Sequence, residues 1–257
     1  MVHGTTIGFV GLLYTTLLLI LYVDILEGIA EGAIMYRSSK NEGYHRDLVT
    51  EVIIPLSPAG QLPTYGCDIL LVEHLPSGVY IDVHQIEQMV EFGGPEVIVN
   101  DPIDIEQPEY LSLPNKILVY GQITVKGQRL STSITLPIHL RYHRAESEGG
   151  YVQVIQKHPE VFVRCDAYDH FSTQDSQGFP CSAKYPEQRC PWYKIDYSTD
   201  SKEITFHLPI GDSDLTNLVC IITIGTTLFG CLYIIYKSVF SCHTKYIPDD
   251  EDKAKKQ

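Results

Sequence analysis

Eight short runs rich in apolar residues, separated by polar residues and turn formers, recur over residues 31–214. DLVTEVIIPL (47–56), CDILLVEHL (67–75), EVIVN (96–100) and NKILVYGQITVKG (115–127) are short and rich in Val, Ile and Tyr. TSITLPIHLRYHR (132–144), YVQVIQK (151–157), EVFVRCD (160–166) and KEITFHLPI (202–210) continue the series, with Pro, Gly or Asp between them. Such runs predict strands. One stretch, HQIEQMVEF (84–92), instead places Ile86, Met89 and Val90 at helical spacing. The pattern predicts a mainly β fold, an antiparallel sandwich-like domain over 31–214. No period of 20 to 50 residues repeats.

Two uncharged runs break this pattern. Ile7–Val23 lies where a secretory signal lies, and Gly28 and Ala30 supply small residues for cleavage after Ala30. Residues 1–30 are therefore expected to be a cleaved signal peptide; an uncleaved anchor is the competing reading. Leu215–Tyr236 is uncharged throughout and, as a helix, would extend about 33 Å, enough for a bilayer core of about 30 Å. Asp212 and Asp214 precede it, and Lys237 and Lys245 follow it. The positive-inside rule then places the tail, 237–257, in the cytosol and residues 31–214 outside it. Thr223, Gly225, Thr226, Thr227 and Gly230 are expected to give the span a small-residue side for helix contact.

Charge follows the same partition. Of the net −13, residues 1–30 carry −2 and the tail +1, which leaves −12 on residues 31–214. An acidic outer domain excludes nucleic acid as a partner, since phosphate binding needs a basic surface. The chain ends DKAKKQ, with Lys253 and Lys255 placed as in a dilysine-type retrieval signal of the endoplasmic reticulum.

Seven cysteines are present, and Cys67, Cys165, Cys181 and Cys190 fall in the outer segment. An oxidising compartment favours disulfides there. Cys181 and Cys190 flank a short loop and are the favoured pair, which leaves Cys67 for Cys165; free thiols are the alternative. Neither Cys nor His spacing suggests a metal site, and no phosphate loop, nucleophile elbow or cofactor motif occurs. The asparagines Asn41, Asn100, Asn115 and Asn217 form no glycosylation sequon.

The densest cluster of candidate chemistry is LPIHLRYHRA (136–145). As a strand it would send Leu136, Ile138, Leu140 and Tyr142 into the core. Pro137, His139, Arg141 and His143 would form a polar row on the other face, wet or docked. His139 and His143 would stand about 13 Å apart, too far for one metal. No carboxylate pair is near in sequence, so no catalytic residue is assigned. Asp82 or Asp104 is expected to pair with Arg141 across the sandwich.

LPSGVYID (75–82), DIEQPEY (104–110), LPIHLRYHRA (136–145) and CPWYKIDY (190–197), in that order before one C-terminal span, resemble the phosphatidylinositol-glycan biosynthesis class X family and its fungal protease-B-nonderepressible counterpart. The resemblance covers about two thirds of the outer segment. It departs from the family in the dilysine-like tail and the missing sequons. The matching positions are Pro76, Ser77, Gly78, Tyr80 and Asp82; Asp104, Pro108 and Tyr110; and Pro137, His139, Arg141, Tyr142 and His143. They would serve the fold or a partner interface. The resemblance implies a non-catalytic subunit of glycosylphosphatidylinositol (GPI) mannosyltransferase I in the endoplasmic reticulum membrane. Its partner would be a multi-spanning catalytic subunit that transfers the first mannose from dolichol-phosphate-mannose. The alternative is a single-pass receptor or adhesion protein with a β-sandwich ectodomain. Against it stand the retrieval-type tail and the lack of a Cys…Trp…Cys sandwich signature. A luminal enzyme would need a nucleophile–base or carboxylate pair, which the sequence does not display.

Overall fold

The computed structural model describes residues 32–55, 66–127, 129–165, 176–201 and 203–244. The expected signal peptide, Lys253 and Lys255 lie outside these residues. Two compact units are present. The first runs to His143 and resumes over Val152–Leu208; the second combines Arg144–Tyr151 with the chain from Pro209 onward.

The first unit is built from two sheets. One has the order β13 (Tyr197–Ser198), β1 (Ala33–Lys40), β2 (His45–Pro55), β8 (Arg129–Leu140), β4 (Val79–Tyr80), with β7 (Thr124–Lys126) also on β8. The other has the order β11 (Ser176–Pro180), β12 (Arg189–Ile195), β10 (Glu160–Cys165), β3 (Cys67–Leu75), β6 (Asn115–Gln122), β5 (Glu96–Val99). All pairings within them are antiparallel except β1 with β13. A further pair joins β9 (Gly150–Lys157) to β14 (Glu203–Ile210). Helix α1 (Val83–Val90) covers the edge near β5 and buries Ile86, as its spacing predicts.

Inward residues of both sheets form the main core, among them Met35, Leu48, Val52, Ile69, Leu71, Ile117, Leu130, Ile138 and Val161. Removing such side chains from water is the chief driving force of the fold. Gly121 is part of the fit: a Cβ there would stand 2.5 Å from Ile134 Cδ1. A second cluster, Leu70, Val72, Leu118, Tyr120, Phe162 and Trp192, lies on the far face of the second sheet. This explains why β3 is buried at nearly every position. The cysteines pair as favoured, Cys67 with Cys165 and Cys181 with Cys190. The first bridges residues directly opposite on β3 and β10; the second closes the β11–β12 loop.

Among the described residues one ion pair crosses the sandwich, and it is not the expected one. Arg37 on β1 donates to Glu73 on β3 at 2.8 Å, with both side chains almost fully buried. Gln156 Nε2 donates to the other Glu73 oxygen at 3.3 Å and to the His74 carbonyl at 3.2 Å. A charge this deep is tolerable only when paired and hydrogen-bonded.

In the second unit, the Glu146 amide donates to Gly211 O at 3.0 Å and the Ser213 amide to Glu146 O at 2.9 Å. Ser147 Oγ donates to Asp214 at 2.8 Å, and Asp212 accepts the Asp214 amide at 2.8 Å. A 3-10 turn (Ser213–Leu215) then enters α2 (Thr216–Thr244), a helix of 29 residues. It is long and apolar enough to cross a bilayer, and none of its apolar window is buried in the fold. Thr223, Thr226 and Thr227 donate to carbonyls one turn back, at 2.8–2.9 Å, which satisfies their hydroxyls without water. Gly225 and Gly230, five residues apart, point about 140° away from each other around the axis. Thr223, Thr226, Thr227 and Gly230 therefore share one side of the helix, and Gly225 lies on the other.

Candidate functional site

Three of the four sequence motifs converge on one corner of the first unit. The turn LPSG is closed by the Val79 amide on Pro76 O at 2.9 Å. Its hairpin then lays β4 against the end of β8, pairing Tyr80 with His139. Space at Gly78 is tight: a Cβ would stand 3.2 Å from Val154 and 3.3 Å from His143 Nε2. Its carbonyl accepts the Arg141 amide at 2.9 Å. The DIEQPEY segment is tied to the same corner. Ser77 Oγ donates to Glu109 Oε1 at 2.8 Å, and the other Glu109 oxygen lies 3.5 Å from His143 Nδ1. The Glu109 amide donates to Tyr142 O at 2.9 Å.

Arg141 is the centre of this network. Strand β8 ends at Leu140, so the alternation expected to continue through His143 stops there. Leu136, Ile138 and Leu140 are buried as expected. Tyr142, expected in the core, is instead 70 % exposed and packs on Tyr44 with rings 4.7 Å apart. Arg141 and Pro137, expected on the polar row, are buried. For Arg141 and Tyr142 the physical reason is the end of the strand at Leu140: once the backbone leaves the pleat, face is set by loop contacts; Pro137 lies within β8, opposite Asp47, and is buried there.

The expected carboxylate partners of Arg141 are occupied elsewhere. Asp82 caps α1 by accepting the His84 and Gln85 amides at 3.0 and 3.4 Å. Asp104 accepts the Glu106 amide at 3.0 Å within its own loop. Among the described residues no carboxylate forms an ion pair with Arg141. The guanidinium instead donates from Nη1 to the Gln107 carbonyl and lies 4.5 Å over the Tyr80 ring. Asp104 still contributes through space: burial lowers the Arg141 pKa, and Tyr80 and Asp104 oppose that shift.

His139 stacks on Tyr80 at 5.1 Å, meets His45 edge-on at 4.5 Å, and its Nε2 is 3.0 Å from Gln85 Oε1. Burial holds its pKa below the usual value, His45 adds to this, and Asp82 opposes it. Burial also raises Tyr80, against the neighbouring Arg141.

The corner has a buried polar interior and an apolar rim. Pro108 starts the 3-10 turn Glu109–Leu111, and Tyr110 (46 %), Leu111 (62 %) and Leu113 (86 %) are exposed there, with Tyr142 held beside the turn. No nucleophile–base pair is assembled among these residues. The arrangement presents a surface rather than a reaction centre.

The fourth motif, CPWYKIDY, lies apart from the corner, on β12 and β13. Trp192 is fully buried and donates to Pro180 O at 3.1 Å; Tyr197 donates to Pro159 O at 2.7 Å. Sequence reasoning missed Glu109, Gln107, Gln85 and His45 as members of the corner. The first two stand inside DIEQPEY; nothing in the sequence marked Gln85 or His45, which depend on strand register.

A family model described as PIG-X / PBN1 matches residues 41–239. The chain is 29 % identical over 203 residues to the human (Homo sapiens) protein named GPI alpha-1,4-mannosyltransferase I, stabilizing subunit, covering 77 % of this chain and 76 % of that one. The protein of the same name from Rattus norvegicus is 27 % identical over 237 residues, 91 % of this chain and 92 % of the other. Protein PBN1 of Kluyveromyces lactis is 22 % identical over 201 residues, 72 % of this chain and 41 % of that one.

Proposed function

The chain belongs to the PIG-X / PBN1 family, and from that premise we propose that it is the non-catalytic stabilising subunit of GPI mannosyltransferase I. It assists transfer of the first mannose from dolichol-phosphate-mannose to the GPI precursor without supplying a catalytic group. The observation that carries this reading is the match across most of the chain to relatives named as that subunit. The motif corner supports it: its polar groups are spent on holding loops, and its apolar residues face outward.

The finer reading is topological. Residues 31–214 form a domain in the lumen of the endoplasmic reticulum, α2 spans its membrane, and the tail is cytosolic. A signal at 1–30 directs this insertion, and Lys253 and Lys255 return the protein to that compartment. The partner is a multi-spanning catalytic subunit. It meets the rim of Tyr110, Leu111, Leu113 and Tyr142 through a luminal loop, and α2 through its membrane helices.

The test is purification of the tagged full-length chain from its own membranes in mild detergent, with mass spectrometry of what accompanies it. A multi-spanning mannosyltransferase in near-equal amount is the expected result. Recovery of the chain alone, together with its presence at the cell surface, would overturn the reading in favour of a receptor.

A further inference from the structure

The two disulfides are linked by one arginine. Arg164 precedes Cys165, and its Nη2 donates to Asp68, the neighbour of Cys67, at 2.6 Å. Its Nη1 donates to Cys190 Sγ, in the other disulfide, at 2.8 Å. The guanidinium lies 5.2 Å over the Trp192 ring, and its buried Nε has no hydrogen-bond partner. The bonding partner of Cys190 has different surroundings. Cys181 lines a cleft of about 710 Å³ with Asp68, Glu96, Tyr120, Arg164 and Ser182, and Cys190 does not line it.

These positions make the two sulfurs unequal. Thiol–disulfide exchange needs one sulfur open to attack and the other able to leave as a thiolate. A neighbouring arginine stabilises a thiolate. We propose that Cys181–Cys190 is an exchange-competent disulfide that reacts with a dithiol approaching through the cleft, opening at Cys181. The attacking thiolate bonds to Cys181 Sγ as the Cys181–Cys190 bond breaks. The bond's electron pair leaves on Cys190 Sγ, against Arg164. The dithiol's second sulfur, once deprotonated, attacks the mixed disulfide and expels the Cys181 thiolate. The dithiol ends as a disulfide, two electrons reach the protein, and the two protons released pass to its thiolates or to solvent.

Cys67–Cys165 lacks this asymmetry. It sits in register between two hydrogen-bonded strands, with Cys67 buried. The fold also tolerates opening of the other bond. Pro180 keeps its bonds from Tyr120 and Trp192, both 3.1 Å, and β11 and β12 remain paired. Only the loop 181–189 loses its covalent closure. This inference is independent of the proposed partner role.

The experiment uses the full-length chain in detergent, opened with dithiothreitol, quenched by alkylation and read by peptide mass spectrometry. Cys181–Cys190 is expected to open at least about tenfold faster than Cys67–Cys165, given the better leaving thiolate. Limiting glutathione is expected to leave its adduct on Cys181. Arg164→Gln should slow opening by about threefold or more, and Asp68→Asn, which frees the arginine for sulfur, should not slow it. An adduct on Cys190, equal opening of both disulfides, or a folded Arg164→Gln variant opening at the wild-type rate would each overturn the proposal. The adduct position needs no variant, so it decides the matter even if Arg164→Gln does not fold.

Discussion

Arg141 does its work through its neighbours. A buried guanidinium with one carbonyl partner and one aromatic face costs desolvation, and it is kept only because it fastens the 104–111 loop to β4 and β8. Arg141→Leu loosens that loop, which keeps its ties through Glu109, and leaves Gln107 O without its charged donor. The expected loss is about 2–3 kcal/mol of folding stability, measurable by urea unfolding of the domain. Arg141→Lys should restore only part of it, because an ammonium cannot replace a planar stacked guanidinium. The buried pair behaves differently. Glu73→Leu alone strands Arg37 in the core and should cost about 3–5 kcal/mol, while Arg37→Leu with Glu73→Leu should recover most of that; thermal unfolding of the three variants checks it. His139 gives a pH signature. Its folded pKa is lowered, so the unfolded chain takes up the proton first as pH falls. The stability it contributes is complete above its unfolded value, about 6.5, and is lost as pH drops below that through the folded value. His139→Gln should therefore flatten the fall in Tm below about pH 6.5 relative to wild type.

At the level of elements, α1 depends on a residue that sequence comparison alone would file as a motif position. Asp82 accepts two amides at the helix start, and Asp82→Ala should cost about 1 kcal/mol, seen as a lower urea midpoint with little change in slope. The role explains why Asp82 is unavailable to Arg141. The long strands were legible because their runs are rich in apolar residues and bounded by turn formers: β3 spans Cys67–Leu75, the same residues its pattern predicts, and α1 lies within two residues of its expected span. Five strands were not: the two-residue β4 inside LPSGVYID, and β1, β11, β12 and β13. In β12 a proline stands inside the run, in β11 glycine and proline do, and β13 has two residues. These are features that normally argue against a strand. In β1 the alternation is real but ends in SSK, and its inward Arg37 reads as a surface residue until Glu73 is seen opposite. The candidate corner was legible as three of four motifs and not as a place. Which motifs meet is decided by the β4–β8 register and by Arg141 leaving the strand, neither of which spacing encodes.

The described residues combine a disulfide-bonded β fold with a long apolar helix, and within the second unit Glu146 holds Gly211 and Ser213 ahead of α2. Neither unit offers a reaction centre among the described residues; both offer surface. That is the form expected of a subunit whose contribution is to keep another protein folded, and family membership gives the other protein its chemical class. The most direct measurement is the half-life of the mannosyltransferase catalytic subunit in cells lacking this chain, with and without complementation. The account predicts rapid loss of that subunit, rescue by the wild-type chain, and weak rescue by a Tyr142→Ala, Leu113→Ser variant that folds and reaches the same membrane. An unchanged half-life in cells lacking the chain would contradict it.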